Sequence, residues 1–234
     1  MKIQAVFTGA IVLLIANGVS STRATVIVNG DFELGDTGFT SAYTYVTPGG
    51  SSLFPEGVYT VDDNPHDSHS LFYSMSDHTA GGTEMMIVNG AGATGITVWS
   101  GTIGLDLTIG VEYDFSAWVA SVHPASPAIL TFSVDGVDLG TLSPTSDGTW
   151  SRLFKPFTAT HARPVFKLIN SNGASFGNDF AIDDIDVFFK DTTENPVSDV
   201  PDGGATLPCL VLALGCLGLW RGASSKTTVR ASRK

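Results

Sequence analysis

In several stretches of the chain apolar and polar residues alternate with a period of two, the spacing of a strand with one buried face. In 130–135 the apolar face is Leu130, Phe132 and Val134, opposed by Thr131, Ser133 and Asp135. Asp135-Gly136 then turns the chain into Val137 to Leu142, a hairpin signal. Runs rich in Val, Ile, Phe and Thr at Thr25 to Val28, Glu84 to Val88, Ile96 to Trp99, Gly110 to Ala120, Ile129 to Val134, Val165 to Asn170 and Phe180 to Phe189 read as further strands. No segment of this body carries an apolar stripe at helical spacing. Strands at such intervals, without crossover helices, predict an all-β fold, an antiparallel jelly-roll β-sandwich over residues 25–190.

The two ends follow other patterns. Met1-Lys2, an apolar stretch from Ala5 to Ala16 and small residues through Ala24 have the three-part layout of a secretory signal peptide, residues 1–24. Cleavage after Ala24 places small residues at Thr22 and Ala24; cleavage after Ser21 would use Val19 and Ser21. The dozen apolar residues fall short of the roughly 20 that span a bilayer. Residues 191–199 (DTTENPVSD) are polar and read as a linker. From Ala205 to Trp220 no residue is charged, and a basic tail follows from Arg221 through Lys234. As a helix this segment is about 24 Å long, enough for a transmembrane helix in a thinned bilayer, with the tail at 222–234 held on the cytoplasmic side. Both cysteines, Cys209 and Cys216, fall inside it, roughly 10 Å apart along a helix and beyond disulfide reach, so the exported body has no disulfide.

Composition sharpens the picture. The chain has 234 residues, 43% hydrophobic and 15% charged, with a formal net charge of −11. Between Thr25 and Asp199, 22 acids stand against five bases, and no Lys or Arg occurs from Thr25 to Ser151. A body this acidic repels phosphate, which argues against nucleic acid as a partner, and it concentrates divalent cations.

Val200-Pro201-Asp202-Gly203-Gly204, the apolar helix and the basic cluster opening at Arg221 together resemble C-terminal sorting signals of the PEP-CTERM type, in the VPDSG-CTERM variant. Gly203 replaces the usual Ser, Pro208 interrupts the early helix, and the tail is longer than usual. The resemblance implies recognition and removal of the tail by an exosortase, a membrane-embedded peptidase. It implies delivery from the inner membrane to the cell surface or extracellular matrix of a Gram-negative bacterium.

Within the body, Val28-Asn29-Gly30-Asp31-Phe32-Glu33 near the start and Asn178-Asp179-Phe180-Ala181-Ile182-Asp183-Asp184-Ile185 near the close are similar to the two ends of jelly-roll carbohydrate-binding modules of the galactose-binding-like superfold. In those modules the first and last strands meet around a structural calcium, which takes six to eight oxygen ligands. The resemblance implies the backbone carbonyl of Asp31 and the carboxylates of Glu33 and Asp184 as ligands. Strand parity does not choose between Asp183 and Asp184; the resemblance favours Asp184. Asp77-His78-Thr79-Ala80-Gly81 is similar to a segment of MAM adhesion domains whose Asp helps bind a cation, which adds Asp77.

His66, His69 and His78 lie within 13 residues and raise a transition-metal reading, against which no cysteine and no zincin motif stands beside them. Gly90-Ala91-Gly92-Ala93-Thr94-Gly95 matches a dinucleotide fingerprint in letters, but a strand follows where a helix is required, so it reads as a turn. For a glycan, the candidate stacking rings are Tyr43, Tyr45, Phe54 and Tyr59 in the segment after the first strand, while Trp99, Trp118 and Trp150 read as core or its cover. The function this predicts is a non-catalytic surface or matrix protein binding extracellular polysaccharide. The alternatives are an adhesion or structural module without a glycan site and, behind it, a polysaccharide hydrolase.

Overall fold

The computed structural model describes residues 27–101 and 103–189. The predicted signal peptide, linker, sorting motif, transmembrane helix and basic tail lie outside the described residues. Among those described, no helix is long and apolar enough to cross a membrane.

Eleven strands and one short helix follow in order: β1 (Phe39–Thr40), β2 (Thr44–Tyr45), β3 (Val58–Asp62), α1 (Pro65–Ser68), β4 (Met85–Asn89), β5 (Ile96–Gly101), β6 (Glu112–Ser121), β7 (Leu130–Val134), β8 (Val137–Leu142), β9 (Ser151–Thr158), β10 (Phe166–Asn170) and β11 (Phe180–Phe189). They form a β-sandwich of two sheets, β1-β5-β10-β7-β8 and β2-β3-β4-β11-β6-β9. All pairings between strands are antiparallel except β2 with β3, where Thr44 faces Val58 in parallel. The predicted strand at Thr25 to Val28 is reduced, in its described part, to one bridge from Ile27 to Ile103.

The alternation seen in the sequence is what closes the sandwich. Phe115 and Val119 from β6, Phe132 from β7, Phe166 and Leu168 from β10, and Phe180 and Ile182 from β11 fill the space between the sheets. Phe115 meets Phe132 edge to face at 5.7 Å, and Phe157 meets Phe166 at 5.5 Å, the geometry favoured by ring quadrupoles. Trp99 belongs to this core, whereas Trp118 and Trp150 are only partly buried.

A second apolar cluster, Leu53, Val58, Phe72, Met85, Ile87, Val122 and Ala181, lies on the other side of β3, β4 and β11, with Val46, Met75 and Trp150 against it. The segments 46–57 and 63–84, on either side of β3, therefore cover the outer face of half of the six-stranded sheet. Strand β3 is buried along nearly its whole length for this reason, and its continuous Val58-Tyr59-Thr60-Val61 run has no alternation to read. Strand β9 carries Pro156, which is tolerated because β9 is the edge of its sheet.

Near the ion-site motifs, β11 is interrupted. The register with β6 shifts between Asp183 and Asp186, and Asp184 takes a positive φ of 46°. The opening segment docks on this bulge: the Ile185 N–H donates to the Gly30 carbonyl at 2.8 Å. A Cβ on residue 30 would stand 1.9 Å from the Ile185 carbonyl oxygen, so glycine is required for this approach. Asn29 shapes the turn that follows, donating to the carbonyls of Gly35 and Thr37 and accepting from the Leu34 N–H. Phe32 is wholly buried and packs edge to face on Phe39.

Candidate functional site

Two groups of polar residues stand out on this scaffold. The first surrounds the β11 bulge. Asp183 is fully buried, and its carboxylate accepts from the backbone N–H groups of His78 at 2.7 Å, Thr79 at 3.1 Å and Asp184 at 2.7 Å. It thus pins the 77–79 turn to the bulge, which is a structural task for its oxygens. Burial, followed by the neighbouring Asp184 charge, pushes its pKa up to about 7 against the hydrogen bonds it receives. Asp184 points the other way. Burial opposes its ionisation, but the His78 Nδ1–H at 2.6 Å and the Thr79 hydroxyl at 2.8 Å hold it below the usual carboxylate range, with the more distant Arg152 assisting.

Asp77 and Glu33 complete the group. Glu33 Oε1 accepts from the N–H groups of Thr83 and Glu84 at 2.8 and 2.9 Å. Glu33 Oε1 and Asp77 Oδ2 lie 2.3 and 2.7 Å from the point where a Cβ on residue 82 would stand, a space left open by Gly82. Asp77 Oδ2 is buried and has no hydrogen-bond partner among the described residues. Burial and then the charges of Glu33 and Asp184 raise the Asp77 pKa. Exposed Asp31 lies beside Asp184 along a groove of 210 Å³ that also takes in Trp118 and Arg152. Among the described residues, no set of three or more His, Cys, Asp or Glu side chains is drawn together tightly enough to hold a metal as it stands. The donors are nonetheless hard oxygens, one of them buried and unpaired, and their mutual repulsion is of the kind a divalent cation relieves, so their chemistry fits calcium.

The three histidines do not converge. His66 Nδ1 donates to the Phe72 carbonyl, His69 is stacked between Phe54 and Phe72, and His78 lies on Trp118 at 3.9 Å.

The second group lines a cavity of 130 Å³ at the end of the six-stranded sheet where β11 begins. Its rim is apolar and open: Phe54, Leu71 and Phe176 are 52%, 60% and 68% exposed. Its floor is polar and closed, with His69, Asn89, His123 and Asp179 all buried. His69 Nδ1 accepts from the Leu71 N–H and His123 Nδ1 from the Ala125 N–H, both at 3.2 Å, which leaves the ring proton of each on Nε2. Burial, then the neighbouring His123, lowers the His69 pKa and keeps that ring neutral. Asp179 accepts from the Gly90 N–H through Oδ1 at 3.0 Å, and burial followed by the charge of Glu56 raises its pKa to about 7.

The loop carrying Phe176 is fixed by asparagines. Asn170 donates to Asn178 Oδ1, Asn178 to the Asn172 carbonyl, and Asn172 to the carbonyls of Ser126 and Pro127, all between 2.9 and 3.0 Å. The rim is therefore held in place rather than assembled by a ligand.

Of the rings expected to stack on sugar, only Phe54 reaches this cavity. Tyr43 and Tyr59 are in the main core, Tyr43 taking the Ala91 N–H and Tyr59 donating to Asp36, so neither offers a face to a ligand. Tyr45 is partly exposed on β2, edge to face with Tyr59. Sequence reasoning missed His123, Phe176 and Asp179 as a site. The available signal was a single large apolar residue, Phe176, inside the otherwise small and polar Ser171–Gly177 stretch.

No known protein family and no curated protein matches this chain. Among solved structures it is similar to the CBM22-1 xylan-binding domain of Paenibacillus barcinonensis Xyn10C, with 15% identity, a TM-score of 0.44, and coverage of 72% of this chain and 97% of that one. It is similar to TmCBM61, solved with β-1,4-galactotriose, with 15% identity, a TM-score of 0.48, and coverage of 71% and 99%. A family 16 carbohydrate-binding module follows at 18% identity and a TM-score of 0.37, covering 69% and 98%. These identities are too low to transfer a ligand from any of them.

Proposed function

We propose that residues 25–190 are a non-catalytic jelly-roll module that binds extracellular polysaccharide, with the sugar site in the cavity between Phe54 and Phe176. The observation that carries this reading is the pairing of exposed rings with a buried polar floor in one pre-formed cavity. A sugar ring has apolar C–H faces that stack on aromatic rings, and hydroxyls that both donate and accept. The floor brings the rings of His69 and His123 together with Asp179 and Asn89, and exposed Glu56 adds a further acceptor at the rim.

Calcium is part of the same proposal. The carboxylates of Glu33, Asp77 and Asp184 and the backbone carbonyl of Asp31 would hold it, and its charge would tie the opening segment to β11. Export through residues 1–24 and sorting through Val200 to Gly204 and the following helix would deliver the module to the cell surface or matrix.

Calorimetric binding of the full chain to a panel of neutral, acidic and amino polysaccharides tests the sugar site. Saturable binding is expected, with Phe54→Ala and Phe176→Ala each weakening it about tenfold. Silence across the panel would leave an adhesion module, and release of shortened product would make it a hydrolase. For the tail, Pro201→Ala with Asp202→Ala is expected to accumulate an unprocessed membrane form in a host containing the peptidase; unchanged processing would remove the motif from the account.

A further inference from the structure

We infer that the cavity between Phe54 and Phe176 prefers a sugar unit bearing a free, protonated amine over neutral and acidic units, an inference that rests on the sugar-binding reading of this cavity. The ionisable groups lining it are Glu56, His69, His123 and Asp179, with no Lys or Arg. The lining thus holds two carboxyl groups, exposed Glu56 and buried Asp179, and no permanent cation. Those carboxylates approach from one side. Glu56 Oε2 lies 2.9 Å from the Cβ position of Gly92, in the same turn whose Gly90 N–H binds Asp179 Oδ1.

Asp179 is only 5% exposed, and its second oxygen, Oδ2, has no hydrogen bond among the described residues. A buried carboxylate without a counter-charge is costly, which is why burial and the nearby Glu56 favour its protonated form. An ammonium group on the ligand supplies both missing elements, a donor for Oδ2 and a positive charge. A hydroxyl supplies the donor alone. A uronate brings a further negative charge to a lining that already carries Glu56 and has no Lys or Arg to receive it. The exposed rings of Phe54 and Phe176 act in the same direction, since an aromatic face attracts a cation as well as the C–H face of a sugar.

The test is calorimetric titration of the full chain, near neutral pH and at about 0.15 M salt, with four tetrasaccharides: β-1,4-glucosamine, its N-acetylated counterpart, neutral xylotetraose and tetragalacturonate. The free amine is expected to bind about tenfold more tightly than the N-acetyl form, and the uronate not at all. Glu56→Gln and Asp179→Asn should each bring the amine and N-acetyl affinities close together, with Glu56→Gln the safer variant because Glu56 is exposed. Asp138→Asn, which removes one charge from exposed β8 in the other sheet, should change nothing and controls for general attraction of a polycation to an acidic protein. Equal or tighter binding of the N-acetyl, neutral or acidic sugar, or an Asp138→Asn effect as large as that of Glu56→Gln, would overturn the amine preference while leaving a sugar site. Failure of all four to bind would remove the sugar-binding reading and the preference with it.

Discussion

Replacing Asp183 with alanine should be among the most damaging single changes in this sandwich. The side chain is wholly buried, and three backbone donors, the N–H groups of His78, Thr79 and Asp184, depend on it. A buried donor left without an acceptor costs about 1–3 kcal/mol. Three of them at the edge of a turn, where water can partly replace the carboxylate, sum to about 3–5 kcal/mol. For a domain of this size one kcal/mol moves the melting temperature by about 2–4 °C, so Asp183→Ala should melt about 6–20 °C below the parent chain. Asp183→Asn keeps one acceptor oxygen and the same shape, and should lose about 1–2 kcal/mol. Calorimetry of both variants in chelator reads stability apart from any ion. If Asp183→Ala melts within about 2 °C of the parent, the 77–79 turn does not hang on this carboxylate and the account of the bulge fails.

Chelation should lower the melting temperature of the parent chain. Asp77→Asn should abolish that response while melting no lower than the parent in chelator, because it removes a carboxylate repelled by Glu33 and Asp184; identical melts of the parent with and without calcium would count against an ion. The raised pKa of Asp179, about 7 against an ordinary 3.8, means that the fold holds this proton more tightly than the unfolded chain does. Its contribution is therefore full below pH 4 or so and is lost as pH rises through about 7, a change on the order of 4 kcal/mol. Denaturant titrations across that range should show Asp179→Asn with a visibly flatter profile than the parent, and an equally steep profile would place the titration elsewhere. Gly30→Ala should separate the opening segment from β11, because its Cβ meets the Ile185 carbonyl at 1.9 Å. A loss of about 2 kcal/mol or more is expected in the same titration, and parent-like stability would show that the contact yields at no cost.

How much of this was legible in the sequence depended on whether a residue's role left a periodic trace. Strands β6, β7, β8, β10 and β11 are dense in Val, Ile, Phe and Thr, with alternation in β7, and the sequence reading found them within two residues. Strand β3 is buried on both faces, one in each apolar cluster, and its short Val-Tyr-Thr-Val run directly after the Pro- and Gly-rich 48–57 stretch carries no alternation to read. Strand β9 was hidden by Pro156, which disqualifies a central strand but not an edge. Tyr43 stands among Ser, Ala and Thr, and Tyr59 closely follows the Pro- and Gly-rich 48–57 stretch, so both read as loop residues, whereas both belong to the main core. Asp31, Glu33, Asp77, Asp183 and Asp184 stood out because short motifs carry them. The cavity did not, because its lining comes from separate loops whose proximity is set only by how the strands pair.

Strand β11 links the two polar groups and gives them different duties. Asp179 at its start is a floor of the cavity, while Asp183 and Asp184, a few residues on, meet the 77–79 turn and lie beside the opening segment. Both Asp179 and Asp183 are pushed toward the neutral form by burial, yet their surroundings differ. Asp183 receives backbone donors on both oxygens, so it is satisfied and structural. Asp179 has one oxygen without a hydrogen bond beside an open rim of rings. An oxygen left without a protein partner at the cavity is available to a donor on a ligand of complementary chemistry. The unpaired oxygen of Asp179 therefore suits the binding role proposed for the cavity, and the fully paired carboxylate of Asp183 suits a supporting role at the bulge.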